Sequence, residues 1–467
     1  MKRIQRSFLI AGLSACTLLT GKICSWAASV TNTTFQQNTI PYVPTRHDTV
    51  RDLLWLADVG TNDVVYDLGS GDGRIVIAAV RDFGARRAVG IEINPQLIQE
   101  SQSNAIQAGV TDRVEFINGD LFTNDFSQAS VVVLYLGQGA NLDLRAKLVR
   151  NLKPGTRVVS HQFGMGEWTA DKLLDVRTIY LGMYGEMFNE FKTNSNVPDF
   201  DNTGSRVSHD VLSAWIVPAP VAGVWRGKVR LEMGDGDFQI ALHQSLSGVT
   251  GSFQFTGSTN FSGSIRADLW GDNLRCWCVS TSLNFYSYPI WFVGHANDDT
   301  LNGSLWVPQG KETREVEWIG HRDKADFTGT WEWAGPSNSP VQLKIERRDG
   351  QLTAEYTDKN RPVSMYEDAT KSIPITDLYD FGGGFYFTLL LGNEGSSMSS
   401  VTRRTGPGNG WLIGEAAAHD NTLSGIISFY PYQHRNLNFR IGQAQQSDAN
   451  PALQNGPRDW QPKRIAP

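Results

Sequence analysis

One stretch constrains this chain more than any other: Val64-Val65-Tyr66-Asp67-Leu68-Gly69-Ser70-Gly71-Asp72-Gly73-Arg74, followed by Ile75-Val76-Ile77-Ala78-Ala79-Val80. Two β-branched residues and a tyrosine lead into an acid. Glycines follow at alternate positions, and the apolar run behind them continues as a helix. The pattern is a strand–loop–helix unit with glycines at the crossing. Glycine lets backbone come close to a ligand, and the loop ends at a helix N-terminus. Dinucleotide folds use similar glycine spacing, so the loop alone is ambiguous. Ala88-Val89-Gly90-Ile91-Glu92-Ile93 reads as the next strand. It sets Glu92 about twenty residues past the loop, where doubly wound folds grip a ribose diol.

The surrounding chain continues the alternation. Val50, Leu53, Leu54 and Ala57 recur at helical spacing, and Asn94-Pro95 opens a second helix that Gly109 stops. Arg113–Ile117 reads as strand three, Ala129–Leu136 as a buried parallel strand and Val158–Ser160 as strand five, with a helix over Leu142–Leu152. Arg177–Tyr180 and Val211–Val217 read as the last two strands, with Met183–Asp210 between them as a substrate-side loop or a disordered insertion. Strands alternating with helices imply a doubly wound parallel sheet that binds its ligand at the strands' C-terminal ends.

Asp67-Leu68-Gly69-Ser70-Gly71-Asp72-Gly73-Arg74, then Gly90-Ile91-Glu92-Ile93-Asn94-Pro95, then Asn118-Gly119-Asp120-Leu121-Phe122 resemble the cofactor motifs of class I (seven-strand) S-adenosylmethionine-dependent methyltransferases. Pro41-Tyr42-Val43-Pro44-Thr45, Arg157–Phe163 and Gly166-Glu167-Trp168 narrow the resemblance. They point to the branch holding the lysine methyltransferases of ATP synthase and the adenine nucleotide translocase, together with bacterial homologues. The resemblance covers residues 41–218 and implies a Rossmann-like fold with S-adenosyl-L-methionine as cofactor. It implies that Gly69, Gly71 and Gly73 wrap the methionine part with Asp67 beside it. Glu92 would take the ribose hydroxyls, Asp120 the adenine amine, and Tyr42 would fold over the site.

The acceptor side is less defined. The Asn/Asp-Pro-Pro-Tyr loop of DNA and glutamine methyltransferases should follow strand four, but Leu134-Tyr135-Leu136-Gly137-Gln138-Gly139-Ala140 stands there. Tyr135 and His161 end strands at the mouth and are the catalytic candidates. An imidazole titrates near neutrality and suits proton transfer from an amine, although a histidine bonded to backbone fits the position equally. Methyl transfer from a sulfonium is an in-line displacement, so no metal is expected. The resemblance makes the acceptor a protein lysine amine.

The flanks carry other signals. Met1–Arg6 is basic, and Phe8–Leu19 is apolar but short for a membrane span, as in a secretory signal over residues 1–28. Ser25-Trp26-Ala27 offers cleavage, and Leu13-Ser14-Ala15-Cys16 resembles a lipobox that would anchor Cys16. The expected location is therefore extracytoplasmic or periplasmic, with a lipid anchor as alternative and no transmembrane span in the mature chain. A net charge of −6 argues against a nucleic-acid-coating surface. Cys276 and Cys278 read as two strand positions facing one side.

Past Pro218-Ala219-Pro220, read as a linker, the texture changes to Gly, Ser, Thr and Trp with short alternating strands. Gly223-Val224-Trp225 is echoed by Gly329-Thr330-Trp331, and Thr300–Leu305 by Thr422–Ile427. The expected organisation is a methyltransferase domain over 29–218, all-β repeat units over 219–322 and 323–445, and a disordered tail over 446–467. The tryptophans are expected chiefly in cores, with a sugar- or partner-binding surface as the other reading. A second functional reading follows from these units: an exported envelope-binding protein whose first domain only binds cofactor.

Overall fold

The computed structural model describes residues 41–180, 187–191, 207–231, 234–257, 260–280, 290–309, 312–324, 326–334, 340–358, 372–391, 410–419, 422–431, 458–460 and 463–466. The proposed signal, Cys16 and residues 446–457 lie outside the described residues. The first region runs α1 (His47–Leu56), β1 (Val64–Leu68), α2 (Arg74–Arg81), β2 (Arg87–Glu92), α3 (Pro95–Ala108), β3 (Val114–Asn118), β4 (Val131–Leu134), α4 (Gln138–Asn151), β5 (Arg157–His161), β6 (Lys172–Tyr180), β7 (Met187–Phe191) and β8 (Val207–Ile216).

These strands form one sheet in the order β3-β2-β1-β4-β5-β8-β6-β7. The first five are mutually parallel, and β8 enters antiparallel between β5 and β6. The seven expected strands are thus present, and β7 adds an eighth at the edge. Part of the stretch read as a loop or disordered insertion is therefore strand. Every residue of β1 and β4 is buried, as parallel strands covered on both faces require. Local chemistry sets the helix ends. The Asn94 side chain accepts from Gln96 N–H with Pro95 at the first turn, and Gly109 ends α3 at φ +68°. Gln138, Gly139 and Ala140 form the first turn of α4.

Beyond it, β9 (Gly223–Leu231) to β16 (Glu312–Arg322) close into an antiparallel barrel, β16 pairing back on β9. Trp225, Leu242, Leu269, Phe292 and Trp318 fill it, with Cys276 and Cys278 both inward as free thiols. Asp235 lies on strand β10 (Gly234–Ser245) and pairs with Arg230 across the hairpin.

The last region does not repeat that barrel. It forms two five-stranded sheets. One orders β20 (Ile373–Ile375), β19 (Gln351–Asp358), β18 (Pro340–Arg348), β17 (Gly329–Ala334) and β26 (Lys463–Ala466), and the other orders β21 (Asp377–Asp380), β22 (Gly384–Leu391), β23 (Gly410–His419), β24 (Thr422–Pro431) and β25 (Arg458–Trp460). They pack through Val341, Ile345, Phe385 and Phe387. The expectation of two equivalent repeat units is corrected to a closed barrel followed by a pair of sheets. The sequence echo is real at residue scale. Gly223 and Gly329 take φ +118° and +122°. Trp225 and Trp331 each donate Nε1–H to the carbonyl four residues before, at 2.9 Å. The disordered-tail expectation is also corrected over two stretches. Arg458–Trp460 is β25 on β24, and Lys463–Ala466 is β26 on β17 (Gly329–Ala334). There β26 satisfies an edge that β17 would otherwise leave open.

Of the tryptophans in the β half, Trp225, Trp318 and Trp331 are core residues, Trp277, Trp306 and Trp333 are half-buried, and Trp270 and Trp291 are exposed. No described helix is long and apolar enough to cross a membrane.

Candidate functional site

The parallel registers line up one row of strand ends. Ile91 pairs with Leu68, Leu68 with Leu134, and Leu134 with Ser160. Glu92, Gly69, Tyr135 and His161 therefore follow one another across neighbouring strands, spaced about 5 Å apart at backbone level. Asn118 pairs with Glu92, which puts Asp120 at the far end of the row.

The loop after β1 is built for close approach. Gly69, Gly71 and Gly73 stand at φ +85°, +54° and +80°, a region that residues with a Cβ rarely enter. A Cβ on Gly69 would stand 2.7 Å from Leu136, and one on Gly73 would stand 2.7–2.8 Å from Phe116 and Ser101. Gly69 N–H donates to Ile91 O at 2.8 Å and Ser70 N–H to the same oxygen at 3.1 Å, locking the loop against β2. Glu92 then reaches into it: Oε2 accepts from Gly71 N–H at 3.0 Å and Oε1 from Asn94 N–H at 2.8 Å. The hydroxyl of buried Ser70 has no hydrogen-bond partner.

Asp67 lies under the loop with 3% of its surface exposed. Burial, with Glu92 and Asp72 as like charges, pushes its carboxyl up to about 8. Asp120 caps a turn, accepting from Phe122 N–H at 2.9 Å. Tyr42 belongs to the separate N-terminal unit Met1–Val43 and is exposed.

Sequence reasoning missed a brace on the loop's other side. Arg74 grips Asp72 in a two-pronged ion pair and donates Nη1–H to Thr45 O at 2.6 Å. Asn104 from α3 donates to Asp72 O at 3.0 Å. The arginine at the end of the glycine motif was the available signal.

On the side expected to take the acceptor, Tyr135 and His161 come together. Their ring centroids are 4.1 Å apart, and Phe163 stands 6.1 Å from Tyr135. His161 Nε2 is 3.3 Å from Asp210 Oδ1, an ion-pair distance without hydrogen-bond alignment. Asp210 Oδ2 accepts from Thr49 Oγ1 at 2.8 Å. Burial opposes charge on Asp210, but the contacts with His161 and Thr49 and the charge of Arg46 outweigh it and hold its carboxyl below the ordinary value. Burial, then Asp210, push the Tyr135 phenol up. Neither Thr49 nor Asp210 was legible, because α1 and β8 meet only in three dimensions.

The histidine is followed by a tightly held segment. Gln162 takes φ +69°, strained for a residue with a side chain. Gln138 and Gly164 exchange two hydrogen bonds, and Asn141 Nδ2 donates to Ser160 Oγ and to Phe163 O at 3.0 and 2.9 Å. Among the described residues no cluster of His, Cys, Asp and Glu is placed to hold a metal.

Comparison with known proteins bears on this geometry. Residues 67–172 match the family model described as the ANTKMT methyltransferase domain. A protein-lysine N-methyltransferase of Saccharolobus islandicus is 44% identical over 153 residues, 32% of this chain and 95% of that protein. An ATP synthase lysine N-methyltransferase of Mus musculus is 34% identical over 170 residues, 36% of this chain and 67% of that protein. A solved RNA methyltransferase from Salinibacter ruber, in complex with S-adenosyl-L-homocysteine, is 44% identical and covers 38% of this chain and 96% of that one, with a TM-score of 0.30.

The residues present fit the cofactor of such enzymes. The glycine cradle excludes side chains, Glu92 is held against it by Gly71 N–H, and the buried Asp67 lies beneath. The reading of a domain that only binds its cofactor is not supported beside enzyme relatives of this kind. A glycine cradle after β1, an acid closing β2 and kinship spanning nearly all of the Saccharolobus islandicus enzyme place this chain in the class I S-adenosylmethionine-dependent methyltransferases, in the branch of the ANTKMT methyltransferase domain.

Proposed function

We propose that this enzyme methylates the side-chain amine of a protein lysine. The observation that carries the reading is kinship with protein-lysine N-methyltransferases over nearly the full length of one of them. The site supports it. The Asn/Asp-Pro-Pro-Tyr loop suited to planar amides and bases is absent, and an aromatic mouth of Tyr135, His161 and Phe163 stands in its place.

When bound, the cofactor supplies a methyl already activated on a sulfonium, so departure needs no acid. The chain's own residues do the rest. The loop from Gly69 to Gly73 and Glu92 bind and orient the donor. The aromatic mouth desolvates the lysine stem and aligns the amine for in-line attack. A lysine ammonium, with an ordinary pKa near 10.4, must lose a proton before it attacks. With Nε2 turned to Asp210, His161 keeps Nδ1 free of any protein partner, and that atom takes the proton.

Labelled methyl transfer by the full chain into envelope and whole-cell extracts, read by mass spectrometry at lysine, tests the reading. The rate should rise with pH until the enzyme unfolds. Label confined to the organic-soluble fraction would reject lysine and leave the methyltransferase intact. We also propose export through residues 1–28. N-terminal mass spectrometry of the cell-derived protein should find a start at Ala28 or Ser29. A lipid-modified Cys16 would indicate the anchored alternative, and an intact Met1 would reject export.

A further inference from the structure

We infer that the appended β region is a working part of the acceptor site, acting through Arg145, a positioning residue at the junction of the two. The inference rests on the acceptor-side assignment of the His161 segment. Arg145 lies on α4 and is 1% exposed. Its guanidinium is shared between two regions. Toward the methyltransferase fold, Nη1 donates to Met165 O at 2.8 Å and to Glu167 Oε2 at 2.5 Å. Toward the last β region, Nη2 pairs with Asp377 and Nε donates to the Tyr379 hydroxyl at 2.9 Å. The Tyr379 hydroxyl in turn donates to Asp377, so the three groups close a buried ring.

The segment held in this way begins at His161 and carries Phe163. A Cβ on Gly166 would stand 2.8 Å from Arg145 Nη1, so glycine there lets the segment fold down onto the guanidinium. At its far end Trp168 O accepts from Trp215 Nε1 at 2.7 Å. The segment has few backbone bonds of its own, and side chains of α4 replace them. Of these, Arg145 alone reaches into another region. Its charge is buried and needs both carboxylates, because an uncompensated buried guanidinium is strongly disfavoured. Asp377 and Tyr379, of strand β21 (Asp377–Asp380), therefore fix where Arg145 sits, and Arg145 fixes the segment between His161 and Trp168.

The test uses the full chain with Asp377→Asn, Tyr379→Phe and Arg145→Lys. Amide exchange by mass spectrometry is compared for peptides covering 162–168 and 67–73. Affinity for S-adenosyl-L-homocysteine is titrated, and labelled methyl transfer to poly-L-lysine is measured. Exchange at 162–168 should quicken by about tenfold in Asp377→Asn, the loss of one charged hydrogen bond, while 67–73 stays as in wild type. Affinity for S-adenosyl-L-homocysteine should stay unchanged, and kcat should fall by a similar factor at unchanged KM for S-adenosylmethionine. Tyr379→Phe keeps the ring packing and should give the same pattern more weakly. Unchanged protection at 162–168 in both variants would overturn the inference, as would equal loosening at 67–73. If wild type leaves poly-L-lysine unlabelled, the lysine reading is what suffers, and the exchange comparison still decides this one.

Discussion

Glu92 and Asp67 show how one loop uses two acids differently. Glu92 spends both oxygens on backbone N–H groups of Gly71 and Asn94, so it shapes the cradle, and we propose that it also takes the ribose hydroxyls. Glu92→Ala should weaken S-adenosyl-L-homocysteine binding by about 1–3 kcal/mol, read by calorimetric titration, and an unchanged isotherm would contradict its place in the site. Asp67 makes a pH prediction. Its carboxyl is raised from 3.8 to about 8 in the folded chain. Between those values the folded chain holds a proton that the unfolded chain has released. Stability from this group is therefore complete below the lower value and is lost as pH rises through the upper one. Denaturant titrations at pH 5.5 and 8.5 should show wild type weaker at the higher pH, with the difference reduced in Asp67→Asn.

Among the elements, the last strand carries more than its position in the chain suggests. β26 pairs with β17, and Arg464 reaches Thr328 O and lies over the Trp331 ring at 5.5 Å. Arg322 sits the same way over Trp225, at 4.4 Å, at the seam of the barrel. In both places the opening strand's tryptophan is covered by an arginine from the closing strand. Arg464→Ala should lower stability by about 1–2 kcal/mol while leaving product affinity unchanged, as thermal denaturation and titration would show. A wild-type melting point would mean that the strand pairing alone holds the tail.

Across the whole molecule, the change of architecture near Pro218 is internal. Val217, Pro218, Ala219 and Val221 are buried and Pro220 is half-buried, although Pro218-Ala219-Pro220 reads as a linker. Gly155 N–H donates to Val217 O, Ala219 N–H to Gly271 O, and Val221 N–H to Gln244 Oε1. One apolar cluster runs from Tyr66, Leu134 and Trp215 into Tyr379, Phe381 and Tyr386 of the last region. Limited proteolysis of the native chain should leave Pro218-Ala219-Pro220 uncut. Early release of a stable fragment ending near residue 218 would show that this packing is weak.

What could be read from the chain before folding is the part whose chemistry is local. A run of β-branched residues, glycines at alternate positions and an acid about twenty residues on dictate a strand, a left-handed loop and a carboxylate held against that loop, and all of these read directly. Tyr135 and His161 were legible as strand ends. The groups that couple them come together only in the folded chain. Asp210 reaches His161, Thr49 reaches Asp210, and Asp377 reaches Arg145 across separations that leave no periodic trace. The closure of the β half is likewise a tertiary outcome. The echoed Gly-x-Trp motifs set two equivalent strand starts, but a barrel or a pair of sheets depends on where later strands bend and pair, and those long-range registers are not written in local spacing.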